Sequence, residues 1–147
     1  DDLTAKKDLI QVGIRSSGKP KSHWEDTFGV KQHWAHEVKE QGVDAIIEKI
    51  IAQLKADNVD EIYVSFDIDA LDETYAAATG TPEPNGLSPN EAMKILRAVA
   101  AQCPITGADM MEIAPFTDST GLGEASRDKT LAAGAEISAF LIEEMNK

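Results

Sequence analysis

The clearest hydrophobic pattern in the chain is that of an amphipathic helix at residues 43–54. Apolar residues recur there three and four positions apart with charged residues between them, which is the spacing of one buried helix face. A second helix is predicted to begin at Ser88, because Pro89 suits the first helical position and Glu91 completes a capping box. A third helix is predicted over roughly residues 124–145. The apolar residues of the three helices are Val43, Ile46, Ile47, Ile50, Ile51 and Leu54; Met93, Ile95, Leu96 and Val99; and Leu131, Ile137, Phe140, Leu141 and Met145.

Three short apolar segments alternate with these helices and predict buried β-strands. They are DLIQVGI (8–14), EIYVSFDI (61–68) and ITGADMMEIA (105–114). Strands connected through helices favour right-handed crossovers and a mainly parallel sheet with helices on both faces. The predicted fold class is therefore α/β, a three-layer α/β/α arrangement, in a single domain over residues 1–147.

Composition and charge argue against several classes of function. The chain has 14 Lys and Arg against 26 Asp and Glu, a formal net charge of −12, which disfavours binding to nucleic acid and to anionic membranes. No apolar run approaches the roughly 18 residues that span a bilayer, and no signal-peptide pattern is present. The single cysteine, Cys103, permits no internal disulfide and belongs to no zinc-site spacing, so we expect a cytoplasmic protein.

Two aspartates follow the second apolar segment, where a solvated surface charge is not expected. Residues two apart on a strand point to the same face and lie roughly 6.5 Å apart, so Asp67 and Asp69 are predicted to converge. Without a cation, such a pair would raise one of the two pKa values, and a divalent metal would remove that conflict. The alternative is that one aspartate caps the following turn and the other is solvated.

Other polar side chains lie at the end of the third apolar segment. Glu112 is interpreted either as the partner of Arg15 or Lys129 in a salt bridge, or as a carboxylate that binds a cationic substrate. Asp109 is interpreted as a buried structural partner of Arg15.

Candidate ligands also occur outside the strand ends. The loop AATGTPEPNGL (77–87) places the hydroxyls of Thr79 and Thr81 near the aspartates, unless it serves only as a connection between strand and helix. His33 and His36 are a possible ligand pair, with surface exposure or packing as the alternative.

Three motifs in this order resemble the manganese ureohydrolases, the family of arginase, agmatinase and formiminoglutamase. The motifs are SFDIDALD (65–72), ATGTPEPNGL (78–87) and GADMMEIAP (107–115). The resemblance extends from VGIRS (12–16) to the last predicted helix. The sequences GIRS and EIAP resemble the agmatinase branch, because arginases follow the same arginine with an Asp-x-Asp that this chain lacks.

The resemblance implies a function and a set of site residues. It implies that Asp67 and Asp69 bind a binuclear manganese centre, with Asp67 as the bridging ligand. It further implies that Glu112 accepts hydrogen bonds from the substrate guanidinium and that Thr81 lines the site. The implied reaction is hydrolysis of a guanidino or formimino C–N bond by metal-activated water, with release of urea and an amine and with Asp67 as proton relay.

The resemblance also implies that this chain requires a partner. The family's metal-binding histidine, its Asp-x-His-x-Asp motif and its proton-shuttle histidine have no counterpart here. We therefore expect the chain to be the C-terminal half of a ureohydrolase domain that binds manganese weakly by itself. We also expect an exposed sheet edge, covered either by the missing N-terminal half or by a second copy in a homo-oligomer.

The sequence also permits two alternative functions. Phosphatases of the haloacid-dehalogenase type also end a strand with Asp-x-Asp, around magnesium, although Leu71 stands where they have Thr or Val. The second alternative is a non-catalytic half-domain or regulatory module that completes a partner chain. Release of phosphate would favour the first alternative over a ureohydrolase.

Overall fold

The computed structural model describes residues 8–116 and 123–147, and it confirms the α/β class. Strands and helices alternate through most of this range, as the sequence predicts. In chain order the elements are β1 (Ile10–Val12), α1 (Lys21–Phe28), β2 (Lys31–His33), α2 (Ala35–Gln41), α3 (Val43–Ala56), β3 (Ile62–Asp67), a 3₁₀ turn (Ile68–Ala70), α4 (Pro89–Gln102), β4 (Ile105–Met111) and α5 (Glu124–Met145).

All strand pairing within the described ranges is parallel, as predicted. β1 pairs with β2, with Ile10 opposite Lys31, and β3 pairs with β4, with Ser65 opposite Asp109. In this part of the chain the strands form two separate pairs, because no ladder joins β1 to β3. Parallel strands leave their carboxyl ends at the same edge, so the ends of β3 and β4 lie side by side.

The three predicted helices are confirmed as α3, α4 and α5. α3 buries Ile46, Ile50 and Leu54, the residues of its apolar face. α4 begins with the predicted capping box: the backbone N–H of Glu91 donates to Ser88 Oγ at 3.2 Å, and the N–H of Ser88 donates to Glu91 Oε2 at 2.8 Å. These contacts satisfy two of the backbone donors that a helix start leaves free.

α5 buries a narrower face than the sequence predicts. Leu131 and Met145 are 40% and 38% exposed, whereas Ile137 is buried. The helix approaches the rest of the core at Gly134, where an added Cβ would lie 2.5 Å from Ile113 Cδ1. The Ile137 side of this contact faces the core, whereas Leu131 lies at the surface.

The segment between Lys21 and Gln41 contains α1, β2 and α2, which the sequence did not predict. α1 has eight residues and ends at Gly29, whose φ of 73° is the left-handed conformation typical of glycine after a helix. α2 has seven residues and begins where Glu37 Oε2 accepts the Trp34 N–H at 2.7 Å. Both helices are too short to show a hydrophobic period.

The core lies on one face of the β3–β4 pair. Phe66 and the neighbouring apolar residues of that face belong to the hydrophobic cluster formed with α3, α4 and α5. The opposite face carries Tyr63, Ser65 and Met111, which are exposed, Tyr63 by 64%. Across the described residues, no helix combines the length and hydrophobicity needed to span a membrane.

Candidate functional site

The two aspartates lie at the carboxyl end of β3, although they do not both belong to the strand. β3 ends at Asp67, and Asp69 lies in the 3₁₀ turn that follows. The prediction of two strand positions 6.5 Å apart is therefore wrong. The strand ends because Asp67 Oδ1 accepts the backbone N–H of Asp69 at 3.0 Å and caps the turn. Ile68, between them, is fully buried, so it anchors the turn to the core.

Burial and like charge act together on Asp67. Burial raises the pKa of Asp67, and the neighbouring carboxylates of Asp69 and Glu112 raise it further, against the opposing effect of the hydrogen bond from the Asp69 N–H. The conflict between like charges that the sequence predicted is therefore present in the fold. A bound cation would relieve it, because it would compensate the negative charge that burial and the neighbouring carboxylates disfavour.

The loop before α4 places Thr81 against this pair. Thr81 Oγ1 donates to Asp69 Oδ2 at 2.7 Å. The loop is held on the end of β3 by backbone hydrogen bonds, from the Asp72 N–H to the Leu87 carbonyl at 2.8 Å and from the Leu87 N–H to the Ala70 carbonyl at 2.9 Å. The strand end and the loop therefore form one structure around Asp69.

Glu112 joins the site from the end of β4. The Ala114 N–H donates to the Ala78 carbonyl at 2.9 Å, which draws the residues after β4 toward the loop. As a result, Glu112 Oε2 would lie 3.3 Å from a Cβ added to Gly80. Glu112 has a φ of 63°, the left-handed conformation, which residues other than glycine adopt rarely and which recurs at functional sites.

The structure overturns the salt-bridge interpretations of Glu112 and Asp109. In the described part of the chain Lys129 Nζ donates to the Thr74 carbonyl, and Arg15 forms its ion pair with Glu83. Asp109 accepts hydrogen bonds from the hydroxyls of Tyr63 and Ser65, at 2.8 and 2.7 Å, on the exposed face of β3–β4. Asp109 therefore has no part in binding Arg15.

The two candidate histidines lie in β2 and α2. Burial lowers the pKa of His33, the ammonium of Lys21 lowers it further, and its buried Nε2 has no hydrogen-bond partner within the described ranges. The exposed ring of His36 packs edge-on against Trp34, with centroids 5.8 Å apart. Among residues 8–116 and 123–147, no three His, Cys, Asp or Glu side chains form a group that could hold a metal ion. The described residues therefore supply the carboxylate pair of Asp67 and Asp69 and not a complete set of metal ligands.

Sequence reasoning missed the position of Arg15, at the carboxyl end of the β1 segment. Its Nη1 donates to the Ala70 carbonyl at 3.1 Å, and its Nη2 donates to the Asp69 carbonyl. The signal in the sequence was an arginine directly after an apolar strand, which requires buried acceptors. Backbone carbonyls of the Asp69 turn provide these acceptors, and the Glu83 carboxylate lies 3.6 Å from Arg15 Nε.

The family model described as "Arginase family" matches residues 1–142. This chain therefore belongs to the arginase family, whose members similar to this chain include arginases and agmatinases, which are hydrolases. The family match leaves the phosphatase alternative without support.

Curated relatives match most of this chain but less than half of their own length. The agmatinase of Chromobacterium violaceum is 39% identical over 121 residues, which are 82% of this chain and 34% of that protein. Arginase-1 of Oryctolagus cuniculus is 30% identical over 134 residues, which are 91% of this chain and 41% of that protein. The chain thus spans about two fifths of the length of such relatives.

Solved structures also match most of this chain but less than half of their own length. The arginase of Bacillus caldovelox superposes with a TM-score of 0.73 at 26% identity, covering 95% of this chain and 43% of that chain. Proclavaminate amidino hydrolase of Streptomyces clavuligerus superposes with a TM-score of 0.68 at 31% identity, covering 90% and 43%. The α/β architecture of this chain is therefore part of an arginase-like fold.

Proposed function

We propose that this chain contributes one part of the active site of a manganese-dependent ureohydrolase of the agmatinase type. The reaction is hydrolysis of a guanidino C–N bond, with release of urea and an amine. The observation that carries the proposal is that Asp67, Asp69 and Glu112 all lie at or just beyond the carboxyl ends of two paired strands, where burial and the charges of Asp69 and Glu112 raise the pKa of Asp67. Ligands of open α/β sheets bind at such strand ends.

Asp67 and Asp69 are the residues that would hold manganese. Carboxylate oxygens are ligands that suit this ion, and the raised pKa of Asp67 marks a position where a cation would stabilise the charged form. What the bound ions supply is Lewis acidity and an activated water molecule.

The remaining roles belong to side chains of this chain. Thr81 holds Asp69 through the hydrogen bond to Oδ2 and so fixes the orientation of that carboxylate. Asp67, whose Oδ1 is bonded to the turn, takes up the proton released by the attacking water and passes it to the leaving amine. Glu112 presents an exposed carboxylate to the cationic guanidinium, a pairing that permits two parallel hydrogen bonds.

A guanidino substrate other than arginine is favoured, because the Asp-x-Asp of arginases helps to read the α-amino group of arginine. The segment GIRSS lacks the Asp-x-Asp with which arginases continue, and the similar agmatinase of Chromobacterium violaceum shares 39% of aligned residues. Agmatine is therefore the first substrate to test, followed by arginine and a formimino compound.

The site needs ligands from outside the described residues. Two carboxylates alone bind manganese weakly, and the described residues contain no group of three metal ligands. Relatives such as rabbit Arginase-1 are more than twice as long as the matched segment. We therefore propose that residues outside this segment, from the missing N-terminal half or from a second copy in a homo-oligomer, complete the site.

Manganese binding and urea release test this proposal together. Paramagnetic resonance of free Mn²⁺ during titration should show weak binding to the unaltered chain, which Asp67→Asn and Asp69→Asn abolish. Asp109→Asn is the matched control, because it makes the same chemical change on β4 and Asp109 bonds only to Tyr63 and Ser65 in the described part. The chain alone should release no urea from agmatine, and robust turnover by it would contradict the expected incompleteness.

A further inference from the structure

Arg15 lies beneath the candidate site with its side chain only 10% exposed. Its guanidinium donates to the carbonyl oxygens of Asp69 and Ala70, and more weakly to that of Gly13 at 3.4 Å. The carbonyls of Asp69 and Ala70 belong to the 3₁₀ turn that carries the Asp69 carboxylate. A planar guanidinium can bind two adjacent carbonyls at once, whereas a lysine ammonium cannot reproduce this geometry.

This contact joins two parts of the fold that share no β-ladder. Arg15 follows β1, and within the described residues β1 pairs only with β2. Backbone packing brings the end of β1 to the turn, since a Cβ added to Gly13 would lie 3.4 Å from Ala70 Cβ and 3.3 Å from Leu87 Cδ1. Gly13 has a φ of 86°, a backbone conformation that favours glycine where the end of β1 approaches the turn.

Arg15 also contacts the loop that carries Thr81. Its Nε lies 3.6 Å from Glu83 Oε2, and the Ser16 hydroxyl donates to Glu83 Oε1 at 3.3 Å. Glu83 follows Thr81 by two residues, and Thr81 binds the Asp69 carboxylate at 2.7 Å. Arg15 therefore contacts the surroundings of Asp69 from two directions: it donates hydrogen bonds to the turn backbone, and it forms a longer ion pair with the loop, in which Nε makes no hydrogen bond within the described residues.

We propose that Arg15 is a positioning residue that sets the orientation of the Asp69 carboxylate for metal binding, with Glu83 as its partner in the loop. This inference rests on the proposed manganese site. Arg15 itself bonds to the turn carbonyls, and its guanidinium acts on the metal ligand only through the turn and the loop. Residues that orient a metal ligand from behind typically change metal affinity by about 10–100-fold when they are replaced.

The test compares Mn²⁺ affinity in four versions of the chain. Arg15→Lys keeps the charge and loses the double contact, and Glu83→Gln loses the ion pair while it keeps an acceptor for Ser16. Each should bind Mn²⁺ about tenfold or more weakly than the unaltered chain. Arg97→Lys is the control, because Arg97 lies on α4 with its guanidinium 5.0 Å from the Phe140 ring centre. It should bind Mn²⁺ as the unaltered chain does.

A second readout separates positioning from a general loss of stability. Affinities are measured at a temperature where circular dichroism shows every variant folded, and amide hydrogen exchange is followed in residues 68–71 and 80–84. Positioning predicts faster exchange in both segments for Arg15→Lys, together with weaker Mn²⁺ binding. A lower melting temperature with unchanged Mn²⁺ affinity would show a structural role and overturn the inference.

The outcomes distinguish this inference from the proposed function. If the unaltered chain binds no Mn²⁺, or if Asp69→Asn binds it equally well, the proposed metal site is wrong and the inference is wrong with it. If Asp69→Asn abolishes binding while Arg15→Lys and Glu83→Gln leave it unchanged, only the positioning role is wrong. If Arg15→Lys fails to fold, Glu83→Gln alone decides between these results.

Discussion

Replacing Gly86 by alanine should displace the loop that carries Thr81. An added Cβ would lie 2.5 Å from the carbonyl carbon of Leu71 and 2.5 Å from the backbone nitrogen of Asp72. Carbon contacts are most favourable at about 3.5–4.0 Å, so the backbone of the loop must move by about 1 Å. Overpacking of this kind costs about 1–3 kcal/mol.

The displacement also threatens the hydrogen bonds that hold the loop on β3. The Asp72 N–H to Leu87 carbonyl bond, at 2.8 Å, lies beside the clash. Its loss would add about 1 kcal/mol, the usual net value of one such bond. Urea unfolding should therefore show Gly86→Ala less stable than the unaltered chain by about 2–4 kcal/mol.

Gly18→Ala is the matched control for this prediction. No atom lies within 4 Å of a Cβ added to Gly18, and neither Gly18 nor Gly86 has a positive φ. Both substitutions reduce the flexibility of the unfolded chain to a similar extent. Only Gly86→Ala adds a steric clash in the folded chain. Gly18→Ala should be neutral or stabilise by up to about 1 kcal/mol. Equal stability of the two variants would refute the close approach of the loop to Leu71.

Two further predictions concern Thr81 and Glu91. Thr81→Val removes the 2.7 Å hydrogen bond to Asp69 and should weaken Mn²⁺ binding about tenfold. Thr106→Val, at the start of β4, is the control and should leave Mn²⁺ binding unchanged. Titration of both variants with Mn²⁺ measures this difference. Burial alone would raise the pKa of Glu91, but hydrogen bonds from the Ser88 backbone, Lys39 and the Ser88 hydroxyl outweigh it and lower the pKa from its ordinary 4.5. A carboxyl group whose pKa is lower in the folded chain than in the unfolded chain stabilises the fold at pH values above its unfolded pKa. This contribution is lost as the pH falls through the folded pKa. Urea unfolding should therefore show that Glu91→Gln loses less stability between pH 6 and pH 3 than the unaltered chain does. The same pH dependence in both proteins would contradict this.

Local patterns predicted the helices well where the signal is contained within one segment. The apolar face of α3 and the capping box of α4 depend on residues three or four positions apart, and both were found as predicted. The missed helices α1 and α2 depend on contacts between segments, such as the 2.8 Å ion pair from Lys21 to Glu37. Such contacts leave no periodic pattern in the sequence.

The sequence named residues that lie together in the structure, but it predicted less of their geometry. Asp67, Asp69 and Thr81 were named from the sequence, and the structure brings them together at the end of β3. The 3₁₀ turn was missed because the hydrogen bond from Asp69 to Asp67 competes with continuation of the strand. The partners of Arg15 were missed because it lies 55 residues from Ala70 along the chain, a contact that only the folded chain creates.

Anomalous diffraction at the manganese edge, from crystals of this chain soaked in Mn²⁺, would locate a bound metal ion. We expect an anomalous peak within coordination distance of the Asp67 and Asp69 carboxylates, and no such peak in Asp69→Asn. A peak beside His33 and His36 in place of the aspartates, or no peak at the end of β3 at saturating Mn²⁺, would contradict it.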